Sequence, residues 1–415
     1  MPEVQQLTHT PHGHDLDNND NITPDGRYAI YDTRETIGPG IEHSTAIEML
    51  DLETGEEIVL YDVGEYRTGA DAAPGVGAVS LSPEGKEAAF IHGPPLDHTD
   101  ARGPYAKTNR QGAMLRLDTP GVVNWLDHRD VDTGRDTLPG AHRGGTHRHE
   151  YSRAGSNRIG FTYDDHLLRQ YGRTIGYMEP HADAPGGASH WFAILVRTTP
   201  EADAKPGDIL TALGDSWVNS EGSMRAFIGT IVEADGSTQQ SLFVADVPLS
   251  VDIATSDAGG PMRFPSPPEG VTIRRLTTDW ADGIVRGSPD GKRIAYYGKD
   301  DDGVRQLFVI NADGTDNRQV TSIGQDIEQS LRWHPGGEAL IAISGGDVLT
   351  AGLRDENFGE VRWLTRGGDY SKLVVAPDGK SLLFNGPAPG IASDGSPGLN
   401  YAGEGFLQIF RLRLE

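Results

Sequence analysis

With 61 acidic against 36 basic side chains over 415 residues, the chain carries a formal charge of −25. That excludes nucleic acid and anionic membranes as partners, since both need a basic stripe, although a few local arginines can still dominate one pocket. Cysteine is absent, which rules out disulfides, thiolate nucleophiles and Cys-ligated zinc.

Met1-Pro2-Glu3-Val4-Gln5-Gln6 has neither the basic nor the apolar region of a signal peptide. No apolar run approaches the ~20 residues that span a bilayer. The expected location is therefore cytoplasmic, or periplasmic if a leader has been removed.

From there on, short hydrophobic runs alternate with Pro-Asp-Gly-like tetrads. Thr23-Pro24-Asp25-Gly26, Ser82-Pro83-Glu84-Gly85, Ser288-Pro289-Asp290-Gly291 and Ala376-Pro377-Asp378-Gly379 are clear copies. Ser152-Arg153-Ala154-Gly155, Asn219-Ser220-Glu221-Gly222 and His334-Pro335-Gly336-Gly337 are degraded ones. Proline presets φ and glycine accepts φ > 0, so each tetrad reads as a tight hairpin turn. Recurrence at roughly 40–70 residues predicts an all-β fold, a seven-bladed β-propeller with one tetrad per blade.

The blades fall at about 15–65, 75–135, 145–200, 210–280, 283–322, 325–366 and 370–415, so 1–415 reads as a single propeller. Blade 5 shows the full pattern, with strands at 284–286, 293–297, 306–310 and 318–321. The last blade lacks a fourth strand, and Val4-Gln5-Gln6-Leu7-Thr8 resembles the strand endings Arg275-Leu276-Thr277 and Gln319-Val320-Thr321. Residues 3–8 are therefore expected to complete that blade and close the ring, removing an unpaired edge. The Gly-, Pro- and Asp-rich stretches 93–112, 167–190 and 386–403 read as surface loops.

The tetrads, the Val309-Ile310-Asn311-Ala312-Asp313-Gly314 segment and the Arg275-Leu276-Thr277 ending resemble TolB-type propeller repeats. Phe90-Ile91-His92-Gly93-Pro94, Arg143-Gly144-Gly145-Thr146-His147-Arg148-His149 and Phe161-Thr162-Tyr163-Asp164-Asp165-His166 resemble, more narrowly, a bacterial TolB-like propeller family of unknown function. A more distant similarity is to oligogalacturonate lyases, seven-bladed enzymes that use a divalent metal held by histidines and an arginine base. The resemblance implies architecture; likeness of fold does not transfer function.

If the tetrads join the first two strands of each blade, the other connections share the opposite face. That face should collect His12, His14, His92, His142, His147, His149, Asp164, Asp165, His166, Arg34, Lys299, Gln325, Glu328 and Gln329, with His334 on the far side. His147 and His149, two apart in an extended segment, should point the same way. Together with His14 they form the candidate set for a divalent metal, and their donor types suit manganese, zinc or iron. The plain alternative is a pair of polar rim residues. His92, His166 and Arg286 are the catalytic candidates, against structural readings as a packed histidine, a rim residue and an inter-blade ion pair. Arg34, Lys299, Trp280 and Gln329 are candidates for holding substrate; Trp280 and Trp217 serve equally as core.

Asp15-Leu16-Asp17-Asn18-Asn19 starts like a calcium loop but lacks the sixth-position glycine and the closing glutamate. No Gly-X-Ser-X-Gly elbow and no Gly-rich Lys-Ser/Thr loop is present.

The expected function is metal-assisted β-elimination on an anionic, uronate-containing oligosaccharide. The alternative is a non-catalytic TolB-like propeller that binds a protein or small ligand. A hydrolase or isomerase using the same pocket is a third reading.

Overall fold

The structure is a computed structural model that describes residues 2–17, 20–35, 40–154, 156–400 and 402–414. Asn18 and Asn19 of the calcium-like run and Gly155 of one degraded tetrad lie outside the described residues.

Strand β1 (Val4–Gln6) opens the chain. Seven antiparallel sheets, the blades of a seven-bladed β-propeller, then follow. The first holds β2 (Tyr28–Asp32), β3 (Ala46–Asp51) and β4 (Glu57–Asp62), with isolated bridges from Asp15 and Ile22 in place of a regular leading strand. The second holds β5 (Val76–Leu81), β6 (Glu87–His92), β7 (Gln111–Arg116) and β8 (Val123–Trp125), with the four-residue helix α1 (Thr99–Arg102) between β6 and β7. The third holds β9 (Gly145–Tyr151), β10 (Ile159–Asp164), β11 (Thr174–Pro180) and β12 (His190–Ile194). The fourth holds β13 (Ile209–Trp217), β14 (Met224–Val232), β15 (Thr238–Asp246) and β16 (Thr272–Arg275). The fifth is β17 (Ala281–Gly287), β18 (Arg293–Lys299), β19 (Arg305–Asn311) and β20 (Arg318–Gln319). The sixth is β21 (Gln329–Trp333), β22 (Ala339–Ser344), β23 (Asp347–Gly352) and β24 (Val361–Trp363). The last contains β25 (Ser371–Val375), β26 (Ser381–Ala388) and β29 (Phe406–Arg413); a small ribbon of β27 (Gly390–Ile391) and β28 (Pro397–Gly398) stands between β26 and β29.

As the sequence implies, β1 is the outer strand of the last sheet, pairing Val4 with Leu412 and Gln6 with Phe410. One loop expectation is corrected: 167–190 contains β11, whose Thr174–Met178 are buried. The Gly- and Pro-rich flanks of Thr174-Ile175-Gly176-Tyr177-Met178 hid a strand that pairs on both edges.

Six tetrads close as turns between their glycine N–H and the carbonyl three residues earlier, at 2.8–3.3 Å. Their glycines take φ of 65–76°, the left-handed region that only glycine enters without strain. These turns also pack on one another. A β-carbon on Gly85 would lie 2.5 Å from Pro24 of the preceding sheet's turn, and one on Gly379 would lie 2.6 Å from His334.

A second repeated feature was not legible. The first strand of six sheets carries a bulge, seen as a register shift in β5, β9, β13, β17, β21 and β25. A left-handed residue sits at each: Ala78, Arg148, Gly214, Gly283, Ser330 and Lys372. A bulge sets two residues opposite one and re-aims the side chains that follow.

The chain divides into two compact units, 1–105 with 114–123 and 325–415, and 106–113 with 124–324. In the first, apolar residues of the first and last sheets interleave: Ala29, Tyr31 and Leu50 meet Val374, Leu383 and Ile409. In the second, Tyr177, Trp191 and Leu195 of the third sheet's face pack with Trp217, Phe227 and Phe243.

Candidate metal centre

After β1 the chain runs beside the last sheet, where the His14 N–H donates to the Leu407 carbonyl at 2.8 Å. It then passes tightly under Arg34; a β-carbon on Gly13 would lie 1.8 Å from the Arg34 carbonyl oxygen. The sequence His12-Gly13-His14 is thereby folded so that both imidazoles stack, their centroids 4.4 Å apart.

The two rings face Glu57 at the start of β4. His14 Nε2 is 3.3 Å and His12 Nε2 3.8 Å from Glu57 Oε2. The Thr10 hydroxyl lies 2.5 Å from that same oxygen, 2.9 Å from His14 Nε2 and 3.1 Å from His12 Nε2. Glu48 Oε2 is 3.7 Å from His12 Nε2 and accepts the Tyr31 hydroxyl at 2.8 Å.

Counting hydrogens shows what this group lacks. His14 Nδ1 faces the Leu407 carbonyl at 3.2 Å and His12 Nδ1 the Gly13 carbonyl at 3.1 Å. Carbonyls only accept, so a ring that meets its carbonyl with its one proton on Nδ1 presents a bare Nε2 lone pair. Two nitrogen lone pairs, a carboxylate and a hydroxyl oxygen then converge with one hydrogen, that of Thr10, among them. Acceptors facing acceptors in a buried site are unfavourable unless a cation lies between them.

The spacing agrees, because the edge of a tetrahedron with ~2.1 Å metal–ligand bonds is about 3.4 Å. The ligand atoms of His12, His14 and Glu57 all fall within 4.8 Å of one another. Carbonyl-held Nδ1 protons are also the usual support for metal-bound histidine.

The protonation states fit as well. Burial pushes His14 down, against the pull of Glu57, so the ring stays neutral. Burial opposes charge on Glu57, but its contacts with His14 and with the Thr10 hydroxyl outweigh it and hold its carboxyl below the usual range. His14 is fully buried, while the His12 side chain is 32% exposed, which leaves one open side.

Of the candidates read from sequence, His14 belongs to this centre. His92, at the end of β6 in the second sheet, lies outside it. Its Nε2 meets the Tyr61 hydroxyl at 3.0 Å and its Nδ1 the Gly93 carbonyl at 2.6 Å, and burial pushes it down to about 4.

His147 and His149 do not point the same way. Arg148 between them is left-handed at φ 56° and sits in the β9 bulge, so alternation fails there. His147 reaches Thr162 at 3.4 Å. His149 is fully buried and meets Thr146 at 3.1 Å, beside Asp127, His142 and His190.

His166 meets Thr108 at 3.2 Å. Asp165 is occupied by the Tyr163 hydroxyl and the N–H groups of Leu167 and Leu168, and does not hold His166.

Arg34 is 2% exposed among Asp15, Asp17 and Asp32, so Asp15 and Asp17 of the calcium-like run face cations. The Lys299 ammonium covers the Trp280 ring at 4.6 Å. Trp217 is core, its indole N–H bonded to the Glu150 carbonyl at 3.0 Å. Gln329 is half-buried at the start of β21, and Arg286 is buried in β17. His334 pairs with Glu338 at 2.7 Å within its own turn.

Thr10, Glu48 and Glu57 escaped the sequence reading, and His12 was placed on this face without a role. The available signal was a second His-X-His, His12-Gly13-His14, spaced like 147–149.

Comparison with known proteins fits this architecture. Over 417 aligned residues, 92% of this chain and 94% of the other, the chain is 30% identical to the uncharacterized protein YidR of Escherichia coli (strain K12). The chain belongs to the YidR family. Residues 75–183 match the family described as Protein of unknown function (DUF3748).

Among solved structures, a prolyl endopeptidase superposes with a TM-score of 0.53 at 13% identity, over 92% of this chain and 47% of that one. An oligogalacturonate lyase in complex with manganese gives 0.45 at 13% identity, over 100% and 93%. The first of these likenesses speaks to the propeller fold alone.

Proposed function

We propose that the protein is a metal-dependent enzyme, its ion held by His12, His14 and Glu57, and that it cleaves a uronate-containing oligosaccharide by β-elimination. The observation that carries the metal is the convergence of two bare Nε2 lone pairs and the Glu57 carboxylate with too few hydrogens between them. Neutral imidazole with carboxylate suits zinc, manganese or iron. When bound, such an ion polarises a carboxylate oxygen and acidifies the adjacent C–H.

The chain's own residues would do the rest. Half-exposed His12 leaves the open side through which a sugar carboxylate approaches. Glu48 is the carboxylate placed to take the α-proton, oriented by the Tyr31 hydroxyl. Burial, with Glu48 adding to it, pushes Tyr31 well above its ordinary range, so it remains a donor. The C–H electron pair becomes the new C=C bond as the β C–O bond breaks, and the departing oxygen takes its proton from water on the exposed side. The lyase step draws on the resemblance noted from sequence; the metal centre stands without it.

The experiment is elemental analysis of purified protein, then assay of uronate oligosaccharides for unsaturated product by ultraviolet absorbance. Wild type should hold about one ion per chain, and His12→Ala/His14→Ala should lose it together with activity. Full metal content in the double variant would overturn the centre. Metal without any unsaturated product would overturn the lyase reading and leave the centre standing.

A further inference from the structure

Within the first unit, a cavity of about 200 Å³ opens between β1, the turn after β3 and the end of β29. Gln5, His9, Leu50, Asp51, Glu53 and Arg411 line it. It adjoins the metal centre along two segments, since His9 precedes Thr10 and Leu50 pairs with Glu57 across β3 and β4.

The two acids of the lining are already used. Arg27 takes Asp51 with both arms of its fork, at 2.9 and 2.6 Å, and reaches Glu53 at 2.8 Å. The N–H groups of Glu53 and Thr54 also donate to Asp51 Oδ1, at 2.9 and 3.1 Å.

Arg411, half-buried on β29, has no such partner. Its Nη1 donates to the Leu52 carbonyl at 3.2 Å and its Nη2 to the Gln5 side-chain oxygen at 2.8 Å, both neutral acceptors. Its buried Nε meets no acceptor among the described residues, and a buried donor left so is unfavourable. The electrostatics agree. Pairing with Asp51 pushes Arg27 above its ordinary range and pairing with Asp246 does the same for Arg274. Arg411 is instead pushed down, by burial first and then by the nearby Arg413, with no carboxylate acting on it. A guanidinium does not shed its proton in a protein. Half-buried and facing only neutral acceptors, this one is a partly desolvated charge that a bound anion would offset.

We propose that this cavity binds an oxyanion on Arg411, the carboxylate of a sugar unit next to the one at the metal or a free phosphate. The sugar option rests on the uronate reading above; the arginine site does not. A guanidinium fork matches either group with parallel N–H···O bonds, and the Gln5 amide adds a further donor beside it.

The test is calorimetric titration at low salt, where charges are least screened, with digalacturonate and with inorganic phosphate. The proteins are wild type, Arg411→Gln and Gln5→Glu. Wild type should bind at least one ligand, with at least a tenfold loss of affinity in both variants. Gln5→Glu is the sharper variant, because it sets a carboxylate of nearly unchanged shape against the guanidinium and so supplies the anion from within. It should melt no lower than wild type. Phosphate binding that both variants weaken, without digalacturonate binding, supports the arginine site and removes the sugar from it. Digalacturonate binding that neither variant weakens places the sugar at the metal alone and overturns the site here. Binding of neither ligand by wild type, or a lower melting temperature in Gln5→Glu, would overturn it as well.

Discussion

His92 and His190 are each pushed down to about 4 by burial, and that fixes the sign of an acid effect. A histidine kept neutral in the fold but free to charge when unfolded adds stability above pH ~6.5, its ordinary value. That contribution is lost as pH falls toward 4, by about 3 kcal/mol at most per group, since one unit is about 1.4 kcal/mol. The melting temperature should thus fall steeply between pH 6.5 and 4, and His92→Gln should flatten the slope.

Asp15 acts in the opposite sense. Burial pushes it up to about 7, against the pull of Arg34 and Lys372. Its contribution is present below pH ~4 and lost as pH rises through 7. Asp15→Asn should therefore melt above wild type at pH 8, the two converging toward pH 4 when melting is followed across that range.

The place of His14 beside His12 on this face was legible because both precede the first blade. Glu57 was not, because it lies 43 residues away on an outer strand and no local pattern points to it.

The tetrads were legible because proline and glycine are required by turn geometry rather than by context. Their second duty, packing on the neighbouring turn, separates two otherwise equal substitutions. Gly26 has nothing within 4 Å of a β-carbon, whereas Gly85 would meet Pro24 at 2.5 Å. Gly26→Ala should lose about 1 kcal/mol from left-handed strain alone. Gly85→Ala should lose more, about 2–3 kcal/mol with the overpacking added. Denaturant unfolding of the two variants in parallel reads the difference. The first-strand bulges stayed hidden for the converse reason. Alanine, arginine, serine and lysine fill four of the six positions, and no residue type marks the element. The same bulge broke the alternation on which the placing of His147 and His149 depended.

At the level of the whole chain, blade count and order were legible from turn spacing, and the pairing of β1 with β29 from a resemblance between strand endings. β11 was not, because glycines and prolines on both sides looked like loop. Leu7 and Thr8 reinforce the β1 pairing through bonds to Ile409 at 2.8 Å each. Deleting residues 2–8 should lower the melting temperature by several degrees and promote self-association through the exposed edge of β29, measurable by light scattering on heating.

That pairing also sets a timetable. Residues 4–6 leave the ribosome long before their partners at 410–412. While the intervening sheets are made, the leading segment waits for a strand not yet synthesised, and the His12–Glu57 cluster, which leans on Leu407, waits with it. A nascent chain stalled before position 406 should have all of the cluster's side chains and still lack the backbone carbonyl that fixes the tautomer of His14.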